Sequence, residues 1–280
     1  MTDSGPNPAD ASSSHSRLAD IAAAIQLLTR IPLRSRAGAP ANYAAAAWVF
    51  PLVGATIGFL GGLVFLVANR VGIGIGSATL LAIGAQVLLT GGLHEDGLAD
   101  AADGLGGGRD REQKLAIMRD SRIGTYGVIA LILAFGLRFA AIDELANSLI
   151  SSSDEYDQTV SHISAVIIAL TAAGAVSRSA MVVPWYVLPA ARSNGLAASG
   201  GAVPTGSAVA STLLGAALAF LLLPFETWAT VMGAAAVICG LVLVIARRQV
   251  GGHTGDVLGA TQQVSEIAVL LAIAAVTIAI

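Results

Sequence analysis

TWATVMGAAAVICGLVLVIA, residues 227–246, runs for twenty residues without a charge, which is the length an α-helix needs to cross the hydrocarbon core of a bilayer. Outward from this stretch the same pattern recurs. Residues 37–69, 71–93, 158–177 and 193–225 are likewise free of Asp, Glu, Lys and Arg. The whole chain of 280 residues is 55% hydrophobic and only 12% charged, with mean hydropathy +0.76, whereas soluble domains carry charge on about a quarter of their residues. These runs are too long for strands and lack alternation of period two, so the expected fold class is all-α, a polytopic integral membrane helix bundle. The single cysteine, Cys239, lies inside an apolar run and excludes both a disulfide scaffold and a cysteine-based metal site.

Seven spans are drawn, at 43–68, 71–93, 123–142, 163–188, 203–223, 228–246 and 264–280. The fourth is interrupted by Arg178 and Pro184 and reads as a broken or partly re-entrant element. Residues 1–17 are polar and rich in Ser, Pro and Asp, and read as a disordered tail. Residues 18–280 read as one membrane-embedded catalytic domain. Leu18, Ile21, Ile25 and Leu28 recur at helical spacing ahead of Pro32, which predicts a short amphipathic helix at the membrane face. Gly, Ala and Ser are dense throughout, as close helix packing in lipid favours.

Seven spans put the N-terminus and the connections 94–122, 189–202 and 247–263 on one side. That side holds 12 of the 15 basic residues, while the opposite loop at 143–159 carries Asp143, Glu144, Asp154, Glu155 and Asp157 and no Lys or Arg. The positive-inside rule makes the basic side cytoplasmic.

Few charges remain for chemistry, and they cluster. In GGLHEDGLADAADGLGGG (residues 91–108), Asp96, Asp100 and Asp103 stand at i, i+4 and i+7 beside Glu95, so a helix stacks three carboxylates on one face. Such stacking is self-repulsive without a cation, and oxygen donors alone favour Mg²⁺, Mn²⁺ or Ca²⁺ over zinc. Arg109, Arg111, Lys114, Arg119 and Arg122 follow, ending in DSRIGTYG at Asp120–Gly127, with Ser121 and Thr125. Carboxylates for a metal, then bases, then a Gly/Ser/Thr turn at a helix start suit a phosphorylated substrate. A second polar island, GGHTGDVLGATQQVSE at 251–266, faces the same compartment. There Asp256 and Glu266 are candidates for a metal shell or a base, and His253 and Thr254 for substrate contact, with His94 flanking the first motif. Arg178 and, less strongly, Arg138 are intramembrane ionisable residues and therefore functional candidates.

These three segments, with Leu28-Thr29-Arg30-Ile31-Pro32, resemble the cobalamin synthase (adenosylcobinamide-GDP ribazoletransferase) family of integral membrane enzymes, in order and spacing from about residue 18 to the C-terminus. The resemblance implies a transferase of cobalamin biosynthesis in the bacterial cytoplasmic (inner) membrane, with its site facing the cytoplasm. It would join adenosylcobinamide-GDP to α-ribazole or α-ribazole 5′-phosphate, giving adenosylcobalamin or its 5′-phosphate and GMP, with Mg²⁺. Membrane lipid and other corrinoid-pathway enzymes are the implied contacts, and no nucleic acid. Relatives often carry Glu where this chain has Gln263, which favours Glu266 over position 263 as a required carboxylate. The expected roles are Asp96, Asp100 and Asp103 on the metal, with Arg119, Asp120, Ser121, Arg122, Thr125, Arg178, His94, His253, Thr254 and Glu266 around the substrate. Glu95 or Asp256 takes the hydroxyl proton.

Two other readings compete. A CDP-alcohol phosphotransferase also has an Asp-Gly motif in a membrane bundle, but its pattern carries Arg where Asp100 follows Ala99. An ion or metal transporter would place carboxylates at mid-span depth, whereas these sit at span ends.

Overall fold

A computed structural model describes residues 17–33, 42–148, 155–192 and 200–279. The described chain is helical: α1 (Arg17–Leu28), a 3₁₀ turn (Ala45–Val49), α2 (Phe50–Arg70), α3 (Ile75–Thr90), α4 (Leu93–Gly107), α5 (Arg111–Ile117), α6 (Thr125–Ser148), α7 (Glu155–Ala180), α8 (Val182–Val187), α9 (Thr205–Leu222), α10 (Phe225–Gln249) and α11 (Gly255–Ala279). The expected tail lies outside the described residues except for Arg17, which opens α1. Arg34, Arg36 and residues 149–154 lie outside them as well.

Among the described residues six helices are long and apolar enough to cross a membrane, and α3 with α4 forms a further pair bent by 89°. The span predicted at 71–93 is present as α3, shortened to Ile75–Thr90 and followed at once by α4. Gly91 and Gly92 both take left-handed φ, 69° and 70°, a conformation that glycine adopts without steric cost. They end α3 after 16 residues and turn α4 across the end of the bundle. Arg30 is seated against this bend: its backbone N–H donates to the Leu89 carbonyl at 2.7 Å, and a methyl at Gly91 would stand 2.0 Å from its Nε.

A second correction concerns the last span, which was drawn at 264–280 after a loop at 247–263. The helix instead begins at Gly255, where the Thr254 hydroxyl caps it by accepting from Val257 N–H at 3.2 Å. The polar run that reads as loop forms the first turns of α11, and its side chains turn into the protein. The interrupted fourth span breaks at Met181, between α7 and α8, yet 164–187 remains one crossing. In α1, Leu28 is buried while Leu18 is 76% exposed. Trp48 Nε1–H donates to Asp20 at 3.0 Å, which ties α1 to the 3₁₀ turn.

The span at 164–187, most of α7 with α8, is the central one, 78% buried against 22% for α9 and for α10. Its tightest partner is α2. A methyl at Gly58 would stand 1.9 Å from the Leu170 carbonyl oxygen, and one at Gly54 would stand 2.1 Å from that of Gly174. Backbone therefore lies directly on backbone, the arrangement that lets helices associate in lipid where no hydrophobic drive separates protein from solvent. Phe65, Ile142, Leu145, Leu170, Leu270 and Ile273 fill the main core beside this seam.

Candidate active site

α4 is held at one end of the bundle by contacts at three levels. Gly97 meets Gly259 of α11, where a methyl on Gly97 would stand 3.1 Å from the Gly259 Cα and 3.2 Å from the Asp256 carbonyl oxygen. This crossing sets Asp96 and Asp100 against Asp256. Asp96 is exposed and Asp100 half-buried. Asp100 lies in the negative field of Asp96, Asp256 and Asp103, opposed by Arg192. Arg192 Nη2 donates to Asp256 Oδ2 at 3.0 Å, and the Thr254 hydroxyl lies 3.1 Å from the same oxygen. Arg192 counted in the sequence only as a base on the cytoplasmic side; its pairing with Asp256 brings together residues 64 positions apart, and no local pattern announces that.

Asp103 lies on the same face as Asp96 and Asp100 but is buried. Its Oδ2 accepts from Gly124 N–H at 2.7 Å and its Oδ1 from Gly127 N–H at 2.8 Å, so it satisfies backbone donors at the start of α6. Each oxygen keeps a further lone pair. Among the described residues no three His, Cys, Asp or Glu side chains converge closely enough to form a metal cluster. The donors that border one another, Asp96, Asp100 and Asp256, are all carboxylates, a chemistry that fits a hard divalent cation.

The basic segment builds the rim. Asp110 caps α5 by accepting from Gln113 N–H at 2.8 Å. Arg111 reaches the Val250 carbonyl at 2.9 Å and the Ala191 carbonyl at 2.7 Å, which joins α5 to the two other connections at this end; Lys114 hydrogen-bonds Gln249. Ala191 N–H donates to the His253 carbonyl and His253 N–H to the Pro189 carbonyl, each at 2.9 Å. Three connections expected to share a side thus touch one another. Arg119 Nε donates to the Leu115 carbonyl at 3.1 Å. Arg122, 87% exposed, pairs with Asp120 at 2.6 Å, and its hydrogen bonds pull the Asp120 carboxyl down to about 2. Ser121 and Thr125 are exposed beside it.

The remaining candidates face inward. Arg138 donates to Gln86 of α3 at 2.7 Å and to Glu95 of α4 at 3.3 Å, and pairs with Glu266 of α11 at 2.9 Å. Arg178 of α7 pairs with the other Glu266 oxygen and donates to Ser177 Oγ at 3.0 Å. Gln262 donates to Ser177 Oγ at 3.1 Å and to Glu266, while Gln263 donates to Glu95 Oε1 at 3.0 Å. Arg138, Arg178 and Glu266 are at most 3% exposed. Two arginines and two glutamates therefore cross-link five helices inside the bundle, a low-dielectric setting in which each charge needs its partner. His94 is buried here, and neither ring nitrogen has a partner among the described residues. His253 and Thr254 are buried at the α11 start, and burial lowers the His253 pKa. Gln86, Gln262 and Ser177 were not singled out as site residues. The signal for Gln86 was a lone amide in the charge-free run 71–93.

Over residues 20–274 the chain matches the family described as cobalamin-5-phosphate synthase. The chain belongs to that family. Among relatives of the cobalamin-5-phosphate synthase family, a protein of Bradyrhizobium diazoefficiens is 43% identical over 261 residues, 92% of this chain and 94% of its own length. One of Mesorhizobium japonicum is 41% identical, with 91% of this chain and 92% of the relative covered, and one of Sinorhizobium medicae 40%, with 91% and 95% covered. All three are named adenosylcobinamide-GDP ribazoletransferase. No solved structure matches the chain.

Proposed function

We propose that this member of the cobalamin-5-phosphate synthase family is an adenosylcobinamide-GDP ribazoletransferase, working at the cytoplasmic face of the bacterial inner membrane. The acceptor is α-ribazole or its 5′-phosphate. Its ribose hydroxyl attacks the cobinamide-linked phosphorus; a new P–O bond forms, the pyrophosphate P–O bond breaks, and GMP leaves. The observation that carries the reading is the Gly97–Gly259 crossing, which sets Asp96 and Asp100 beside Asp256 at the end of the bundle where the exposed bases gather.

Asp96 and Asp100, with Asp103 behind them, would hold Mg²⁺, which when bound supplies charge neutralisation on non-bridging and leaving oxygens. Arg122 and Arg119 steer and hold the phosphates from the rim, where guanidinium pairs well with phosphate oxygen. Asp256 accepts the hydroxyl proton, and Arg192 with Thr254 holds its carboxylate in place. Arg178 and Glu266 act from within the bundle and keep α7 and α11 together beneath the site. Positioning and electrostatics supply most of the acceleration in such a displacement.

Asp96→Asn and Asp100→Asn variants test this reading. Each should lower turnover by about a hundredfold or more, the size expected when several kcal/mol of transition-state stabilisation is lost. A wild-type rate with unchanged Mg²⁺ dependence in correctly inserted protein would remove the metal role. Release of CMP from a CDP-alcohol, or metal uptake into proteoliposomes, would favour the two competing functions instead.

A further inference from the structure

Glu95 is next to Asp96 in the chain, yet it is aimed away from the open site. Its Oε1 accepts from Arg138 at 3.3 Å and from Gln263 at 3.0 Å. Its Oε2 is shut off from solvent, with no hydrogen-bond partner among the described residues. A proton acceptor must come within hydrogen-bond reach of the hydroxyl it serves, and neither oxygen offers that reach. Arg138 also binds Gln86 and Glu266, so Glu95 is one point at which α4 is fastened to α3, α6 and α11, and the one on its inward face. Gly61 makes room for this arrangement, because a methyl there would stand 2.8 Å from the Gln86 side chain.

We propose that Glu95 is a positioning residue: through Arg138 and Gln263 it fixes the roll of α4 and so presents Asp96 and Asp100 together to the divalent cation. The proposal rests on the transferase reading above and deepens it. Roll matters because Asp96 and Asp100 are a helical turn apart and share a cation only if the helix face that bears them is turned outward. Partners that orient ligands in this way change metal affinity or activity by about ten- to a hundredfold when lost.

The experiment uses the full chain in detergent, with Mn²⁺ binding read by electron paramagnetic resonance and GMP release read separately. Three variants are compared: Glu95→Ala, Glu95→Gln, and the exchange Glu95→Gln with Gln263→Glu, which keeps one carboxylate and one amide across the same hydrogen bond. Glu95→Ala should raise the Mn²⁺ dissociation constant about tenfold, with turnover at saturating metal close to wild type. Glu95→Gln and the exchange should stay within about threefold of wild type in both readouts, since the amide oxygen still accepts from Arg138. If Glu95→Ala does not fold, the other two variants decide.

Loss of turnover in Glu95→Gln and in the exchange, with Mn²⁺ binding and melting temperature unchanged, would make Glu95 a reacting group and overturn the proposal. Unchanged Mn²⁺ binding in Glu95→Ala would overturn it as well. A wild-type protein that binds Mn²⁺ but releases no GMP would instead overturn the transferase reading, and the Mn²⁺ comparison would still decide the role of Glu95.

Discussion

Asp103 gives one carboxylate oxygen to each of two backbone N–H groups, Gly124 and Gly127, at the start of α6. Those donors have no partner within their own helix turn, and capping them is worth about 1–2 kcal/mol. Asp103→Ala should therefore lower stability by about that amount and loosen the segment that carries Arg119, Asp120 and Arg122. Gly127→Ala should reproduce the effect with Asp103 still in the chain, because a methyl there would stand 2.4 Å from Asp103 Oδ2 and push the carboxylate off its donors. Melting temperatures in detergent check both; a wild-type value for both variants would show that Asp103 does not hold this helix. The i, i+4, i+7 spacing correctly put Asp96, Asp100 and Asp103 on one face. It could not separate them, because the spacing says nothing about which neighbour covers the far end of that face. Here α6 covers it, and the three carboxylates grade from exposed to buried.

Glycines decide how the elements meet. Gly54, Gly58 and Gly62 recur every fourth residue along α2 and lie against α7 at Gly174, Leu170 and Ile167. A methyl at Gly58 meets carbonyl oxygen, which cannot move without moving α7. Gly58→Ala should therefore cost the folded protein, read as lost monodisperse material after extraction. Gly84→Ala should be silent, since a methyl there has open space; equal yields for the two would contradict the packing account. Residue density showed that close packing was expected, but alanine and glycine occur along the whole chain, so composition could not name the seam. The same limit explains two element ends that the sequence does not show. The charge-free run from 71 to 93 does not show that its helix stops at Thr90, ahead of the paired left-handed glycines at 91 and 92. The polar run at 251–263 reads as loop because its partners, Arg192 for Asp256 and Glu95 for Gln263, come from distant segments.

Sidedness is a property of the whole molecule, and the charge distribution predicts it. The segments assigned to one side by their bases do meet: Arg111 binds the carbonyls of Ala191 and Val250, and Arg192 binds Asp256. In a Cys239→Ala background, a cysteine at Arg109 should react with a membrane-impermeant maleimide only after the cytoplasmic face is opened. Labelling from outside in intact cells would reverse the topology. The buried network was half legible, as intramembrane Arg178 and Glu266, but their mutual pairing was not, because it spans 88 positions. The proposed function requires a metal-dependent phosphate site that joins a corrinoid to a ribazole. Its most direct test is purified wild-type protein incubated with adenosylcobinamide-GDP, α-ribazole and Mg²⁺. GMP and adenosylcobalamin should appear in equal amounts, both abolished by chelation of the metal. Folded protein that releases no GMP, or that releases it equally well with the metal removed, would contradict it.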